Sequence, residues 1–407
     1  MGRRVEQGIQ RVTATRHGRD RLGMAWLLII GLAFATVPGS ALSQSTPEAA
    51  IPSPEDAPVA MLVDITSGQV LHARNPDRRF VPASVTKAMT MYTAFELIEE
   101  GRLDPNQVFR VDPESWREWA GKGSTMWLNA RDPVLVRDLL AGIANVSAND
   151  GSIVLAEGQA GSVAQWTDQM NTQAQAIGMT NSRFNTPNGW PDDGRTFTSA
   201  RDLVTLAEAM LRHHPLKYAR YIGRRSFTYN GIEQYNHDPL IGRTQGADGI
   251  KTGYTNEAGF NYLGTAKRDG QRLVMVIAGS PRGSVRNTAA RRYIEWGFDA
   301  FDRKRLFEQN EIIGKAQVQD GSARSVGLRA ERPVQVNVPN GQADNIEMRI
   351  VYDGPLRAPF KAGKQVATLI VEIPGMDNAS FPLFADESVA EAGLFARIVN
   401  GIAGWFS

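Results

Sequence analysis

No cysteine occurs in the 407 residues, which excludes disulfides, thiol nucleophiles and thiolate metal sites. Histidine is scarce. The five present (His17, His72, His213, His214 and His237) include no His-Glu-x-x-His spacing, so a zinc hydrolase has little support and no cofactor is called for. A large excess of charge is missing too: the formal net charge is +2. The six arginines at positions 3, 4, 11, 16, 19 and 21, set against Glu6 and Asp20, account for that positive sign. The rest of the chain has no basic run or recognition motif, which argues against a nucleic-acid partner. There is no internal repeat or low-complexity tract, and 42% hydrophobic with 22% charged residues is ordinary for a globular protein of two or three domains.

What is present begins with the shape of an export signal. Arginines precede an apolar run at 24–37, then Pro38-Gly39-Ser40 and the small-residue site Ala41-Leu42-Ser43. As a helix that run spans about 21 Å, short of the roughly 30 Å apolar core of a bilayer. We expect a leader over 1–43 and a polar, proline-rich linker over 44–58. A catalytic domain is expected over 59–305, a β-rich domain over 306–386, and an amphipathic helix over 387–407. In that last stretch Leu394, Phe395, Ile398, Val399, Ile402, Trp405 and Phe406 form one apolar stripe suited to a membrane surface. The expected location is the periplasm, at the outer face of the inner membrane.

The catalytic stretch opens on a hairpin (59–65 and 69–73, turning at Thr66-Ser67-Gly68) and closes on another (261–267 and 273–278). Helical patterns fill the middle at 134–143, 153–157, 163–177 and 200–213, and Ser284 is placed to cap a helix to Phe301. The fold class expected is α/β (α+β): an antiparallel sheet flanked by helices with a helical subdomain. After about residue 305, β-branched runs at 334–338, 346–352 and 365–373 predict a small all-β domain, read as a sandwich.

The chemistry centres on Ser84 and Lys87, a hydroxyl and an amine three residues apart at the start of an apolar helix, where positions i and i+3 share a face. A serine is a weak nucleophile until a base takes its proton. For lysine to serve near neutral pH its pKa must fall by roughly 3 units, through burial and neighbouring positive charge. Ser147-Ala148-Asn149 and Lys251-Thr252-Gly253 complete the set, each occurring once. Ser147 can relay a proton to the leaving amine, and Asn149 can hold a substrate carbonyl. Lys251 supplies positive charge that keeps Lys87 deprotonated and attracts an anion. Thr252 can bond a terminal carboxylate, and Gly253 lets the substrate lie along a strand edge as an added strand. The N–H groups of Ser84 and Tyr254 are the expected oxyanion hole.

These three motifs resemble those of the penicillin-binding protein and serine β-lactamase superfamily. Within it the chain is similar to the low-molecular-mass D-alanyl-D-alanine carboxypeptidases of the penicillin-binding protein 5 type, with matching segments at 64–71, 136–140, 198–203 and 248–253. The resemblance implies a β-lactamase/transpeptidase-like fold. It also implies hydrolysis of the last D-Ala from a peptidoglycan pentapeptide through an acyl-serine, and covalent binding of β-lactam antibiotics. Arg286 falls where that family places a carboxylate-binding arginine. One departure stands out: the family's Asn-Arg-Asn is Asn236-His237-Asp238 here, which puts a second substrate-facing arginine in doubt. A class A-like β-lactamase needs a deacylating Glu with Asn four residues on, and Glu157, Glu208 and Glu233 are followed there by Gly161, Arg212 and His237. A DD-endopeptidase shares all three motifs, and a non-catalytic peptidoglycan-binding factor would not require them intact.

Overall fold

The computed structural model describes residues 7–11, 50–342 and 346–393, in two units: residues 50–302, and residues from 303 onward together with the N-terminal stretch. In the first unit an antiparallel sheet of five strands carries the site. Its strands are β1 (Val59–Asp64), β2 (Gln69–Arg74), β3 (Ala247–Thr255), β4 (Gly259–Arg268) and β5 (Gln271–Ser280), in the order β2-β1-β5-β4-β3. β1 is buried along its whole length, as its unbroken apolar run requires of a strand covered on both faces. Asp64 closes the first hairpin by accepting from the Thr66 N–H at 2.8 Å, and Gly68 takes φ +77°. β3, which carries Lys251, ends the sheet and leaves one edge unpaired by any other strand of it.

Six of the eight α-helices among the described residues, the longer ones, supply most of the frame: α1 (Lys87–Glu99), α2 (Val136–Val146), α3 (Asn149–Ala160), α4 (Val163–Ala176), α5 (Ala200–His213) and α6 (Gly283–Asp299). α1 is apolar nearly all round because α2, α4, α5 and the sheet enclose it, so it is a core helix rather than a surface one. α5 has the opposite texture, a single apolar stripe started by Ser199, whose hydroxyl accepts from the Asp202 N–H. The long terminal helix differs from expectation at both ends. Arg282, extended at φ −144°, is its N-cap, so Ser284 lies inside the first turn and caps nothing. The helix stops at Asp299 because Phe301 already begins a strand.

In the second unit a seven-stranded sheet runs Gln7–Arg11, Glu347–Asp353, Gln365–Glu372, Ala379–Ala385, Ser325–Arg329, Ile312–Gln319 and Leu356–Arg357. A separate ribbon pairs Phe301–Phe307 with Val334–Pro339. The small all-β domain expected is thus present, as one large sheet and a two-stranded ribbon around the core of Val336, Val338, Ile350, Leu369, Val371 and Leu383. Its edge strand Gln7–Arg11 comes from the stretch read as a leader, whereas the apolar run 24–37 lies outside the described residues.

The helix expected over 387–407 does not begin at 387. Residues 387–393 hold no helical turn and are fixed by isolated bridges, Val389 with Phe360 and Glu391 with Gly321. Val389 and Ala392 are buried, so this segment is fixed by β-pairing and apolar contact before the stripe starts at Leu394. Positions 394–407 lie outside the described residues.

Candidate active site

Ser84 sits in a single 3-10 turn, Ala83–Thr86, that runs into α1 at Lys87. The sequence predicts an α-helical turn here. The tighter 3-10 winding serves the pair better, because side chains at i and i+3 eclipse one another in it. The turn is clamped from two sides. A Cβ on Gly189 (φ +72°) would lie 1.9 Å from the Ala83 carbonyl oxygen, and one on Gly253 would lie 2.5 Å from the Pro82 oxygen and 3.0 Å from the Ser84 nitrogen. Only glycine admits the loop 185–189 and the strand β3 this close. Ala83 takes the left-handed φ of 52°, strain that the clamp sustains while it presents the serine.

Lys87 is completely buried, and its Nζ has three oxygen neighbours: Ser84 Oγ at 2.9 Å, Asn149 Oδ1 at 2.7 Å and the Asn188 carbonyl at 2.7 Å. Burial first, and the Lys251 charge second, push its pKa well below the usual lysine value, with Asp150 opposing them. A neutral amine has two N–H donors and one lone pair. The two amide oxygens take the donors, which leaves the lone pair for the Ser84 hydroxyl. This is the geometry of a base poised on its nucleophile.

Ser147 and Asn149 flank the junction of α2 and α3. Ser147 caps α2 in the left-handed conformation (φ 62°), and Asn149 is the first residue of α3. Besides accepting from Lys87, Asn149 donates from Nδ2 to the Lys122 carbonyl at 2.9 Å. Its Oδ1 orients Lys87, and Nδ2 has a second N–H besides the one given to Lys122, the donor that the expected bond to a substrate carbonyl requires. Beneath it the buried Asp150 accepts from the N–H groups of Met126, Leu128 and Gly151, which fixes the segment 124–128.

The edge strand β3 brings in the third motif. Lys251 is buried and donates to the Thr252 carbonyl at 3.0 Å; burial and then Arg286 lower its pKa to about 7. Thr252, Gly253 and the half-exposed Tyr254 line a cavity of about 490 Å³ together with Ser84, Ser147, Asn149 and Arg286. Arg286 is buried rather than on a solvated helix face. Two of its donors hold the Asn261 carbonyl (2.9 Å) and Asn287 Oδ1 (2.8 Å), and its guanidinium borders the cavity.

The cavity gathers every residue proposed from sequence except Lys87 and Lys251, which stand behind its wall. It also exposes residues that sequence reasoning passed over. Asn188 acts through its backbone carbonyl and so leaves no side-chain signature; the neighbouring Gly189 was the available signal. Gly123, Ser124 and Trp190 form a wall. His237 lines the cavity too, so the substituted motif does face the substrate space, with imidazole in place of guanidinium. Burial, then Lys251 and Arg286, hold it below the usual histidine pKa, so it is neutral near pH 7. Its neighbours are structural: Asn236 donates to the Arg224 carbonyl, and Asp238 accepts from Tyr262 and from the Leu240 and Ile241 N–H groups.

Comparison with known proteins places these residues in context. Residues 45–282 match the family described as D-alanyl-D-alanine carboxypeptidase, peptidase S11, and residues 301–391 match the C-terminal domain of penicillin-binding protein 5. The D-alanyl-D-alanine carboxypeptidase DacA of Haemophilus influenzae is 32% identical over 354 residues, covering 85% of this chain and 90% of that protein. The crystal structure of penicillin-binding protein 5 from the same organism superimposes with a TM-score of 0.75 at 31% identity, over 84% of this chain and 99% of that one. Penicillin-binding protein D2 of Listeria monocytogenes, solved in its ampicillin-bound form, matches with a TM-score of 0.55 at 26% identity, over 60% of this chain and 98% of that one.

Proposed function

Since the chain belongs to the serine D-alanyl-D-alanine carboxypeptidases of peptidase family S11, we propose that Ser84 is its nucleophile and Lys87 the base that activates it. The reaction is removal of the C-terminal D-Ala from peptidoglycan peptides. The observation that carries the assignment is the buried Lys87, its pKa pushed down by burial and the Lys251 charge, with its Nζ 2.9 Å from Ser84 Oγ and its other neighbours both amide oxygens. Ser84 gives its proton to Lys87 as Oγ attacks the penultimate carbonyl carbon. The oxyanion is held by the Ser84 and Tyr254 N–H groups, and collapse breaks the C–N bond. Ser147 passes the proton from Lys87 to the departing D-Ala nitrogen, leaving an acyl-serine. Water then attacks the ester, Lys87 takes its proton, and the proton returns to Ser84 Oγ as the shortened peptide leaves. Thr252, Arg286 and Lys251 receive the terminal carboxylate. A β-lactam enters the same path, but its leaving nitrogen stays tethered through the opened ring, so the acyl-enzyme persists. The test is incubation of the chain with a pentapeptide ending in D-Ala-D-Ala: one free D-Ala per peptide is expected, and release of none would remove the assignment.

The reading extends to location. The pattern of the first 43 residues supports export, and the stripe from Leu394 to Phe406 supports attachment to the outer face of the inner membrane. Seven large apolar side chains at about 1.5 to 3 kcal/mol each give a gross burial of roughly 10 to 20 kcal/mol, before the entropy of ordering is subtracted. No helix among the described residues is long and apolar enough to cross a membrane. Because 387–393 is bridged to the β-rich unit, the informative truncation removes 394–407 only. That deletion is expected to move the protein from the membrane pellet to the soluble fraction with D-Ala release unchanged. A truncated form that still pellets would contradict the attachment.

A further inference from the structure

We propose that Lys122 is a subsite for a carboxylate on the acyl side of the substrate, in the stem that precedes the scissile bond. The inference deepens the carboxypeptidase reading and rests on it. With the terminal carboxylate at Thr252 and Arg286 and the reacting carbonyl at Ser84, the preceding residues run along the remaining walls of the cavity. One of those walls is Gly123, Ser124 and Trp190.

Lys122 is fixed beside that wall at both of its ends. Its backbone carbonyl accepts from Asn149, and its ammonium lies 4.6 Å from the ring of Trp119 and 5.2 Å from that of Trp190. The two indoles meet edge to face with centroids 5.5 Å apart. Gly123 allows this packing, since a Cβ there would lie 2.8 Å from Asn149 Nδ2 and 3.2 Å from Trp190 Cζ3. The rings restrict the rotamers of a side chain that is otherwise costly to order, so an ion pair made there loses less entropy. They cover only part of the ammonium. The Lys122 side chain keeps 35% of its surface exposed, and its ion pair within the chain is a 3.6 Å contact with Glu118, itself 61% exposed. Such an exposed i,i+4 pair is weak and readily exchanged for another carboxylate. The asparagine of the site, the two indoles and the cation thus form one connected unit beside the Gly123, Ser124 and Trp190 wall of the cavity.

The test compares two peptides ending in D-Ala-D-Ala, one whose preceding residue ends in a free side-chain carboxylate and one in which that carboxylate is the amide. The readout is the ratio of their kcat/KM values for D-Ala release. A ratio of roughly fivefold in favour of the acid is expected at low salt for the native chain. Lys122→Met, which keeps the unbranched stem between the indoles, should bring the ratio to about one. Glu118→Gln, which removes the competing carboxylate, should raise it. Equal cleavage of the two peptides by the native chain, or a ratio that Lys122→Met leaves unchanged, overturns the proposal while leaving the carboxypeptidase reading intact. Failure to release D-Ala from either peptide would instead strike at that reading.

Discussion

Lys87→Met is expected to lower the second-order rate of acylation by a penicillin by about a thousandfold, the typical worth of a positioned general base. Methionine suits the test because its unbranched chain fills the same buried space without a proton acceptor. Loss of the amine also leaves Asn149 Oδ1 and the Asn188 carbonyl without their donor, at a cost of about 1 to 3 kcal/mol each, so thermal melting must accompany the kinetics. The pH profile separates base loss from misfolding. Protonation removes the lone pair that receives the serine proton, so the native rate falls as pH drops through the folded-state pKa of Lys87, which lies well below the usual lysine value. Lys251 is one of the causes of that depression. Replacing it with methionine therefore raises the Lys87 pKa and shifts the acid limb to higher pH. An acid limb that stays in place in Lys251→Met would show that the two amines do not communicate.

Amidating the C-terminus of the pentapeptide is expected to reduce kcat/KM by about two orders of magnitude, or ~3 kcal/mol, because a neutral amide would forfeit the charge-assisted bonds proposed to Thr252 and Arg286. In Arg286→Gln the gap between acid and amide narrows to a few-fold, since the loss has already been taken. The preference is also pH-dependent. Lys251, with its pKa near 7, carries charge below that pH and loses it above, so discrimination in favour of the free acid weakens on the alkaline side. Steady-state kinetics on the paired peptides from pH 6 to about 8.5 reads both effects. Equal kcat/KM for acid and amide would favour an enzyme that cuts within cross-links rather than at chain ends.

The parts of this site that could be read from sequence are those whose function fixes a side-chain type. A hydroxyl and an amine at i and i+3, Ser-x-Asn, and Lys-Thr-Gly in this order left little freedom, and the sheet and helices gather them around one cavity, with Lys87 and Lys251 behind its wall. What escaped was carried by backbone. The Asn188 carbonyl that orients Lys87 would be the same atom under any side chain at that position, and the 3-10 winding at Ala83–Thr86 is imposed by Gly189 and Gly253 pressing from distant parts of the chain. In the β-rich unit, Val334–Pro339 and Gln365–Glu372 were evident from β-branched runs. Phe301–Phe307 hid behind consecutive charges, and Ala379–Ala385 behind Pro382, whose ring argues against a paired strand. The helix expected from Glu387 does not start there because the apolar period of the sequence begins only at Leu394. Val389 instead pairs with Phe360.

The central claim is that one activated hydroxyl does the chemistry. Intact-mass measurement of the protein after brief exposure to a penicillin, followed by peptide mapping, tests it most directly. A single adduct of one penicillin mass is expected, on the peptide containing Ser84, and none in Ser84→Ala. An adduct that persists undiminished in Ser84→Ala, or that maps to Ser147 instead, would contradict the account.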